Sequence, residues 1–294
     1  MIHDYVLHLI DHLQTSISFP KNINLILSGG AFNGSYMLGV LYYLKELERK
    51  GKIRIHKISG SSIGSILGLL YLADRLDLFN ELYLICVNDL MEKLNLSKLL
   101  ELKEIIQSKL PDNICETVHK RLYISYHNIQ FGEKHVKNKY KNTDELLDCI
   151  TRSCYLPFFI NYNSSYKNKY IDGMMPFFFK NHKNTEKYKN LYINIFTHDK
   201  IYYSMEVKNE RTNLHRVLTG INDIHIFFIK NKNTVMCSYT DKWTTYEHFM
   251  YYLYMIIERI LLYFMYSTKD IYNMKVMKPM IKECTRYILS TFSL

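Results

Sequence analysis

The sequence predicts an α/β fold: a mainly parallel central sheet flanked by helices on both faces. Three observations carry that reading. The short β-branched runs "NINLILSG" and "KIRIHKISG" both end in glycine, each is followed by an apolar run of helical spacing ("SYMLGVLYYLKELERK" and "SIGSILGLLYLADRL"), and no linker or internal repeat interrupts the 294 residues. Two strands separated by one helix form a βαβ unit, whose strands run parallel with a right-handed crossover.

The elements follow in order. Residues 1–21 read as an N-terminal amphipathic helix with Ile2, Tyr5, Val6, Leu9, Ile10 and Leu13 on one face, and they lack the basic start and small-residue cleavage site of a signal peptide. After the βαβ unit, residues 78–110 read as two helices, the second opened by Ser97 and closed before Pro111. "RLYISYH" is a strand, "TDELLDCITRSC" a helix capped by Thr143, and "LYINIFTH" another strand. Residues 201–294 supply strands at Tyr202 to Val207 and in "DIHIFFIKNKNTVMCSYT", then helices over 246–266 and 276–292, which complete one domain spanning 1–294. The run "FMYYLYMIIERILLYFMY" is apolar enough to raise the question of a membrane span, but Glu258 and Arg259 at its middle argue for a core or interfacial helix. Its aromatic and methionine stripe is expected to face the core.

Composition limits the function classes. A balance of 48% apolar and 22% charged residues is that of an ordinary globular chain. Six cysteines with no CxxC pair suggest neither a zinc site nor a disulfide framework, and read as thiols of a cytoplasmic setting. The net charge of +10 gathers in lysine- and asparagine-rich runs such as "KHVKNKYKN", "YKNKY" and "KNHKNTEKYKN" between apolar segments, which read as solvated loops. An anionic membrane surface is the second reading of that charge. No nucleic-acid module accompanies it, so no nucleic-acid partner is expected.

With only 11 glycines in the chain, their placement is informative: Gly29, Gly30, Gly34, Gly39, Gly60, Gly64 and Gly173 fall in three short stretches. "GSSIG", residues 60–64, matches G-x-S-x-G, in which small neighbours let a strand turn into a helix and leave Ser62 exposed at the helix N-terminus. The same five residues could be a plain small-residue turn. A serine that attacks a carbonyl needs a site for the resulting oxyanion, and "SGGAFNG" can offer the N–H groups of Gly30, Ala31 and their neighbours. It is not a Walker loop, because Ser35 and Tyr36 stand where Lys and Ser or Thr are needed. Both loops lie at the carboxyl edge of the parallel strands, where ligands gather. In "KYIDGMMPFFF", Asp172 ends a short strand before Gly173, a pairing that taken alone reads as an ordinary turn and gains meaning only beside the other two stretches.

In this order, "LILSGGAFNGSYMLGVLYYL", "ISGSSIGSILGLLY" and "CITRSCYLPFFINYNSSYKNKYIDGMMPF" resemble the glycine-rich loop, nucleophile elbow and Asp-Gly block of the patatin-like phospholipases, across roughly residues 22–200. The resemblance implies a three-layer α/β/α fold and a phospholipase A-type lipid acyl hydrolase without metal or other cofactor. It makes Ser62 the nucleophile and Asp172 the base, with Gly29, Gly30 and Ala31 lining the oxyanion hole, Gly34, Gly60, Gly64 and Gly173 as motif glycines, and a phospholipid or other acyl-ester lipid at a peripheral membrane surface as partner. Two positions depart from the family pattern: Ala31 stands where the family has a third glycine, and Asn33 where it has Arg or Lys. They keep open a weak or inactive, lipid-binding relative. An α/β-hydrolase triad using His198 or His248 is the other alternative, set against the single strand that precedes "GSSIG".

Overall fold

A computed structural model describes residues 1–13, 17, 19–180, 188–197, 200, 202–208, 212–272 and 277–293. The first helix, α1 (Ile2–Asp11), buries Val6 and Ile10 as its spacing predicts. The strand β1 (Asn22–Leu27), the helix α2 (Gly34–Arg49), the strand β2 (Arg54–Ser61) and the helix α3 (Ile63–Leu72) form the expected βαβ unit with its continuing helix, and β1 and β2 pair in parallel from Leu25↔Ile58 to Leu27↔Gly60. Three helices, α4 (Phe79–Lys93), α5 (Leu102–Gln107) and α6 (Ile114–Val118), lead to β3 (Leu122–Asn128). Ser97 opens a 3-10 turn rather than α5 itself.

An antiparallel partner, β4 (Glu133–Lys137), follows β3. The helix α7 (Thr143–Ser153) is capped one residue earlier than expected, by Asn142, whose side chain accepts from the Glu145 N–H at 2.9 Å. Beyond it come β5 (Tyr170–Asp172), β6 (Lys189–Ile193), α8 (Leu214–Lys230), β7 (Cys237–Tyr239), α9 (Thr245–Tyr272) and α10 (Met277–Ser293). The seven-stranded sheet runs β4-β3-β2-β1-β6-β7, with β5 also on β3. Its central strands β3, β2, β1 and β6 are parallel, and its margins antiparallel.

Alternation along the strands divides the core. Ile23, Leu25 and Leu27 of β1 and Leu191 and Ile193 of β6 face the main apolar cluster with α2, α3 and α8. On the other face, Tyr192 meets Trp243, which in turn meets Tyr251 of α9, and Ile129 and Ile171 pack with Leu262 and Met265 of α9. Helices thus cover both faces. Gly39 serves helix packing rather than a functional loop: a Cβ there would lie 2.0 Å from the Val217 carbonyl oxygen of α8.

Further expectations need correction. "DIHIFFIK" is helical, because Val217, Ile221, Ile224 and Phe228 recur at helical spacing and outweigh the strand preference of its isoleucines. Residues 202–204 form a 3-10 turn rather than a strand. The stripe on α9 does not face the core: only Glu258, Leu262 and Met265 are buried, while Phe249, Ile256, Ile260 and Tyr263 are exposed. This helix is long and apolar enough to cross a membrane. "KHVKNKYKN" is an edge strand at its start, where Lys134 and Lys137 are the charges that discourage edge-to-edge pairing. Most of "KNHKNTEKYKN", and the His198 end of "LYINIFTH", lie outside the described residues.

Candidate active site

Ser61 is the last residue of β2 and Ile63 the first of α3, so Ser62 alone makes the turn between them. It does so at φ 51° and ψ −131°, a conformation that costs a residue with a side chain roughly 1–3 kcal/mol. Hydrogen bonds on both sides hold it there. The Ser62 N–H donates to the carbonyl and hydroxyl oxygens of Ser153 at 3.1 and 3.0 Å, and the Ser65 hydroxyl donates to the Ser62 carbonyl at 2.6 Å. The helix approaches the sheet this closely because residues 60 and 64 lack side chains. A Cβ on Gly64 would lie 2.6 Å from the Leu27 carbonyl oxygen, and one on Gly60 2.4 Å from that of Gly64.

Strand register brings in Asp172. Ser61 pairs with Ser125 on β3, and the next residue of β3, Tyr126, pairs with Asp172. β5 therefore continues, antiparallel, the lane that β2 leaves when it turns at Ser62. The carboxyl is buried; its Oδ1 accepts from the Met174 N–H at 2.7 Å, and Gly173 is tied to the Ser153 carbonyl at 3.3 Å. Burial pushes Asp172 up to about 6, against the lowering influence of the Ser62 hydroxyl and the Met174 N–H. The serine and the carboxyl face each other without completing an ordinary hydrogen bond, and Oδ2 has no partner among the described residues.

The glycine loop closes the third side. A Cβ on Gly29 would lie 3.2 Å from that of Ser62, Gly30 adopts φ 154°, and Gly34 opens α2 against Ile63. Ala31 sits at φ 46°, where a side chain costs roughly 1–2 kcal/mol. No backbone acceptor among the described residues takes the N–H of Gly30 or Ala31. Asn33 is fully buried, and its amide donates to the carbonyls of Ile195 and Lys200 at 3.1 and 2.8 Å.

Sequence reasoning missed three residues here. Arg216 of α8 is almost wholly buried and donates to Asn33 Oδ1 at 2.8 Å, so a cation stands one hydrogen bond behind the loop that lacks one at position 33. It also donates to the carbonyls of Tyr203 and Glu206 at 3.0 and 2.7 Å. His127 of β3 bonds through Nδ1 to the Asp172 carbonyl oxygen at 2.7 Å. Its Nε2 lies 3.3 Å from Glu258, the carboxylate at the middle of α9. Glu258 also accepts from Lys134 at 2.8 Å and from the Met175 N–H at 3.1 Å. Burial alone would raise Glu258, but the His127 hydrogen bond and the Lys134 charge outweigh it and hold the group below the usual carboxylate range. No spacing rule could have found these contacts, since each joins elements distant in sequence. His248, the other histidine considered, packs its ring 5.5 Å from that of Trp243.

Ser62, Asp172, Gly29, Gly30 and Ala31 all line one cavity of about 330 Å³, whose remaining walls include Leu156, Phe159, Phe196, Ile257 and Leu261. A smaller apolar recess of about 70 Å³ leads from Ser62 and Ala31 between α3 and α4. The arrangement presents a hydroxyl, a carboxyl and backbone N–H groups to a space whose walls suit a long apolar chain.

The sequence profile of the family described as "Patatin-like phospholipase" matches residues 25–176, slightly more than half of the chain. The chain belongs to the patatin-like phospholipase family. The mouse protein named 1-acylglycerol-3-phosphate O-acyltransferase Pnpla3 is 27% identical over 74 residues, 24% of this chain and 18% of that protein. The match thus spans about a fifth of that relative's length. Among solved structures, VipD from Legionella pneumophila superposes with a TM-score of 0.39 at 13% identity, covering 59% of this chain and 50% of that one.

Proposed function

We propose that this chain is a serine lipid acyl hydrolase that cleaves acyl esters through a Ser62–Asp172 dyad. Ser62 attacks the ester carbonyl as Asp172 accepts its proton; the oxyanion is met by N–H groups of Gly29, Gly30 and Ala31; the alcohol leaves with the proton from Asp172, and water, giving its proton to Asp172, releases the acid and restores Ser62. The observation that supports this reading best is the facing pair itself: a serine on a strained strand-to-helix turn opposite a buried carboxyl raised to about 6. A carboxylate at the ordinary value is a poor base at neutral pH, and the raised value brings it nearer the working range. We read residues 1–294 as one unit, in which the family core supplies the dyad and α9 a wall of the cavity. The exposed apolar face of α9 is our assignment for contact with a lipid surface.

The test is reaction of the wild type, Ser62→Ala and Asp172→Ala with a serine-directed fluorophosphonate, together with an assay of fatty acid release from phospholipid vesicles. Labelling and release in the wild type alone is expected. Labelling that persists in Ser62→Ala overturns the nucleophile assignment. A wild type that binds vesicles without labelling or release favours the lipid-binding reading, to which the strained Ala31 lends weight.

A further inference from the structure

Past Tyr192 and Tyr254, the cavity that holds Ser62 adjoins a second, larger one of about 640 Å³. The two share Met175, Tyr192, Asn194 and Tyr254 as walls, which sets the second space next to the one that holds Ser62. The walls differ in kind. Those around Ser62 are largely apolar, whereas the second space adds aromatic rings, neutral polar groups and the Glu247 carboxylate to the apolar Val235, Met236 and Met250.

Trp243 lies at the centre of the aromatic set. Its ring is 5.7 Å from Tyr192 at 66° and 5.6 Å from Tyr251 at 51°, and Phe178 backs the group at 5.6 Å from Trp243 and 4.7 Å from Tyr251. Tyr246 and Tyr254 on α9 extend the wall. Glu247 is fixed in place, with one oxygen accepting from Asn233 at 2.8 Å and the other from the Thr244 N–H at 2.6 Å. None of the described lining residues is Lys or Arg. Inclined electron-rich rings with a fixed carboxylate and no competing cation favour a weakly hydrated positive charge. An anionic group would meet the Glu247 carboxylate, and a primary ammonium would surrender more hydration on entering.

The geometry points to a head-group subsite for a quaternary ammonium: the chain takes a choline-type lipid, with its trimethylammonium among Trp243, Tyr246, Tyr251 and Tyr254. The placing of the scissile ester at Ser62 rests on the acyl-hydrolase reading; the binding itself does not.

Trp243 is the one tryptophan of the chain, so its emission reports on this cavity. In the Ser62→Ala protein, titration with phosphocholine is expected to change that emission saturably, at concentrations about tenfold lower than with phosphoethanolamine. Tyr246→Leu, at a position that is 69% exposed and can change without unfolding the chain, is expected to weaken phosphocholine binding about fivefold with an unaltered melting curve. A linear response, equal response to the two compounds, or indifference to Tyr246→Leu overturns the subsite. The second arm measures fatty acid release by the wild type from phosphatidylcholine, phosphatidylethanolamine and phosphatidylglycerol vesicles. A preference for the choline lipid that Tyr246→Leu abolishes supports the assignment to lipid; phosphocholine binding with equal release from all three overturns it. Saturable binding with no release from any vesicle supports the subsite and counts against the hydrolase reading, whereas release without preference and without binding removes the subsite alone.

Discussion

Around Ser62, backbone register and glycine contacts fix nearly every position: β2 turns at Ser62, β5 takes over its lane, and Gly60 and Gly64 let α3 press against the sheet. Along α9 the reverse holds, with 28 residues attached by a stripe in which only Glu258, Leu262 and Met265 are buried. Ser62 and Asp172 therefore sit where sheet strands end, while the α9 wall of the cavity sits on an element that a modest free energy could displace. The two regions meet at His127, which holds the main chain of Asp172 on one side and Glu258 on the other. Two buried carboxyls a histidine apart are pushed in opposite directions, Asp172 up by desolvation and Glu258 down by its partners.

The largest effect should come from the rigid side. Asp172→Asn is expected to lower fatty acid release by about 10²–10⁴-fold, the usual span for loss of a general base. The same substitution should raise stability at neutral pH. The folded pKa of about 6 lies above the ordinary aspartate value of 3.8, so ionising this buried group opposes folding by about 3 kcal/mol at pH 7. This contribution vanishes below pH 3.8, where both states are protonated. Melting curves of wild type and Asp172→Asn should therefore separate by several degrees at pH 7.5 and converge near pH 4; a variant that melts lower at pH 7.5 contradicts the buried-base account.

A pH profile sharpens the same contrast. Release should fall about tenfold per pH unit below about 6 as Asp172 takes a proton. Glu258 titrates with the opposite sign: its folded value is depressed, so its contribution to stability is full above the ordinary carboxylate range and is lost as pH falls below it. Hydrogen exchange should show α9 loosening in acid before the central strands do. Glu258→Gln should bring that loosening to neutral pH, with a cost of about 1–2 kcal/mol, because Lys134 keeps partial access to water. Protection of α9 unchanged in this variant would mean that Leu262 and Met265 suffice to hold it.

The outer face of α9 is tested by Phe249→Ser, Ile256→Ser and Ile260→Ser together, all at exposed positions. Vesicle affinity should drop about tenfold or more while hydrolysis of a short-chain soluble ester is retained. Equal loss on both substrates would show that the helix serves the cavity alone.

The sequence made one of these regions far more legible than the other. β1, α2, β2 and α3 follow from hydrophobic period and punctuating glycines, and "GSSIG" falls at the strand-to-helix turn expected of it. What stayed hidden depends on packing between distant segments. Arg216 behind Asn33, His127 against the Asp172 main chain and Glu258 clasped by Lys134 carry no local signature. The stripe on α9 misled for a related reason: helical spacing says which residues share a face, but not whether protein covers that face. In "DIHIFFIK", isoleucine preference competed with helical period, and the close approach of Gly220 to the Tyr36 carbonyl, where a Cβ would lie at 1.9 Å, fits the helix.

The smallest expected effect tests the glycine loop itself. Ala31 holds φ 46°, and replacing it with glycine relieves roughly 1–2 kcal/mol of strain. The gain is partly offset by about 0.4–1 kcal/mol, because glycine frees the unfolded chain. Ala31→Gly should then stabilise the fold by about 0.5 kcal/mol, near the limit of a melting experiment. Kinetics discriminate better. If the Ala31 N–H meets the oxyanion and the strain misaims it, Ala31→Gly raises kcat with little change in KM, because the interaction exists only in the transition state. If Arg216 already steadies the loop through Asn33, kcat stays level in Ala31→Gly and falls instead in Arg216→Met, which removes the buried cation from behind the loop. A rise in kcat in the first variant with no loss in the second would place the weakness of this loop at position 31.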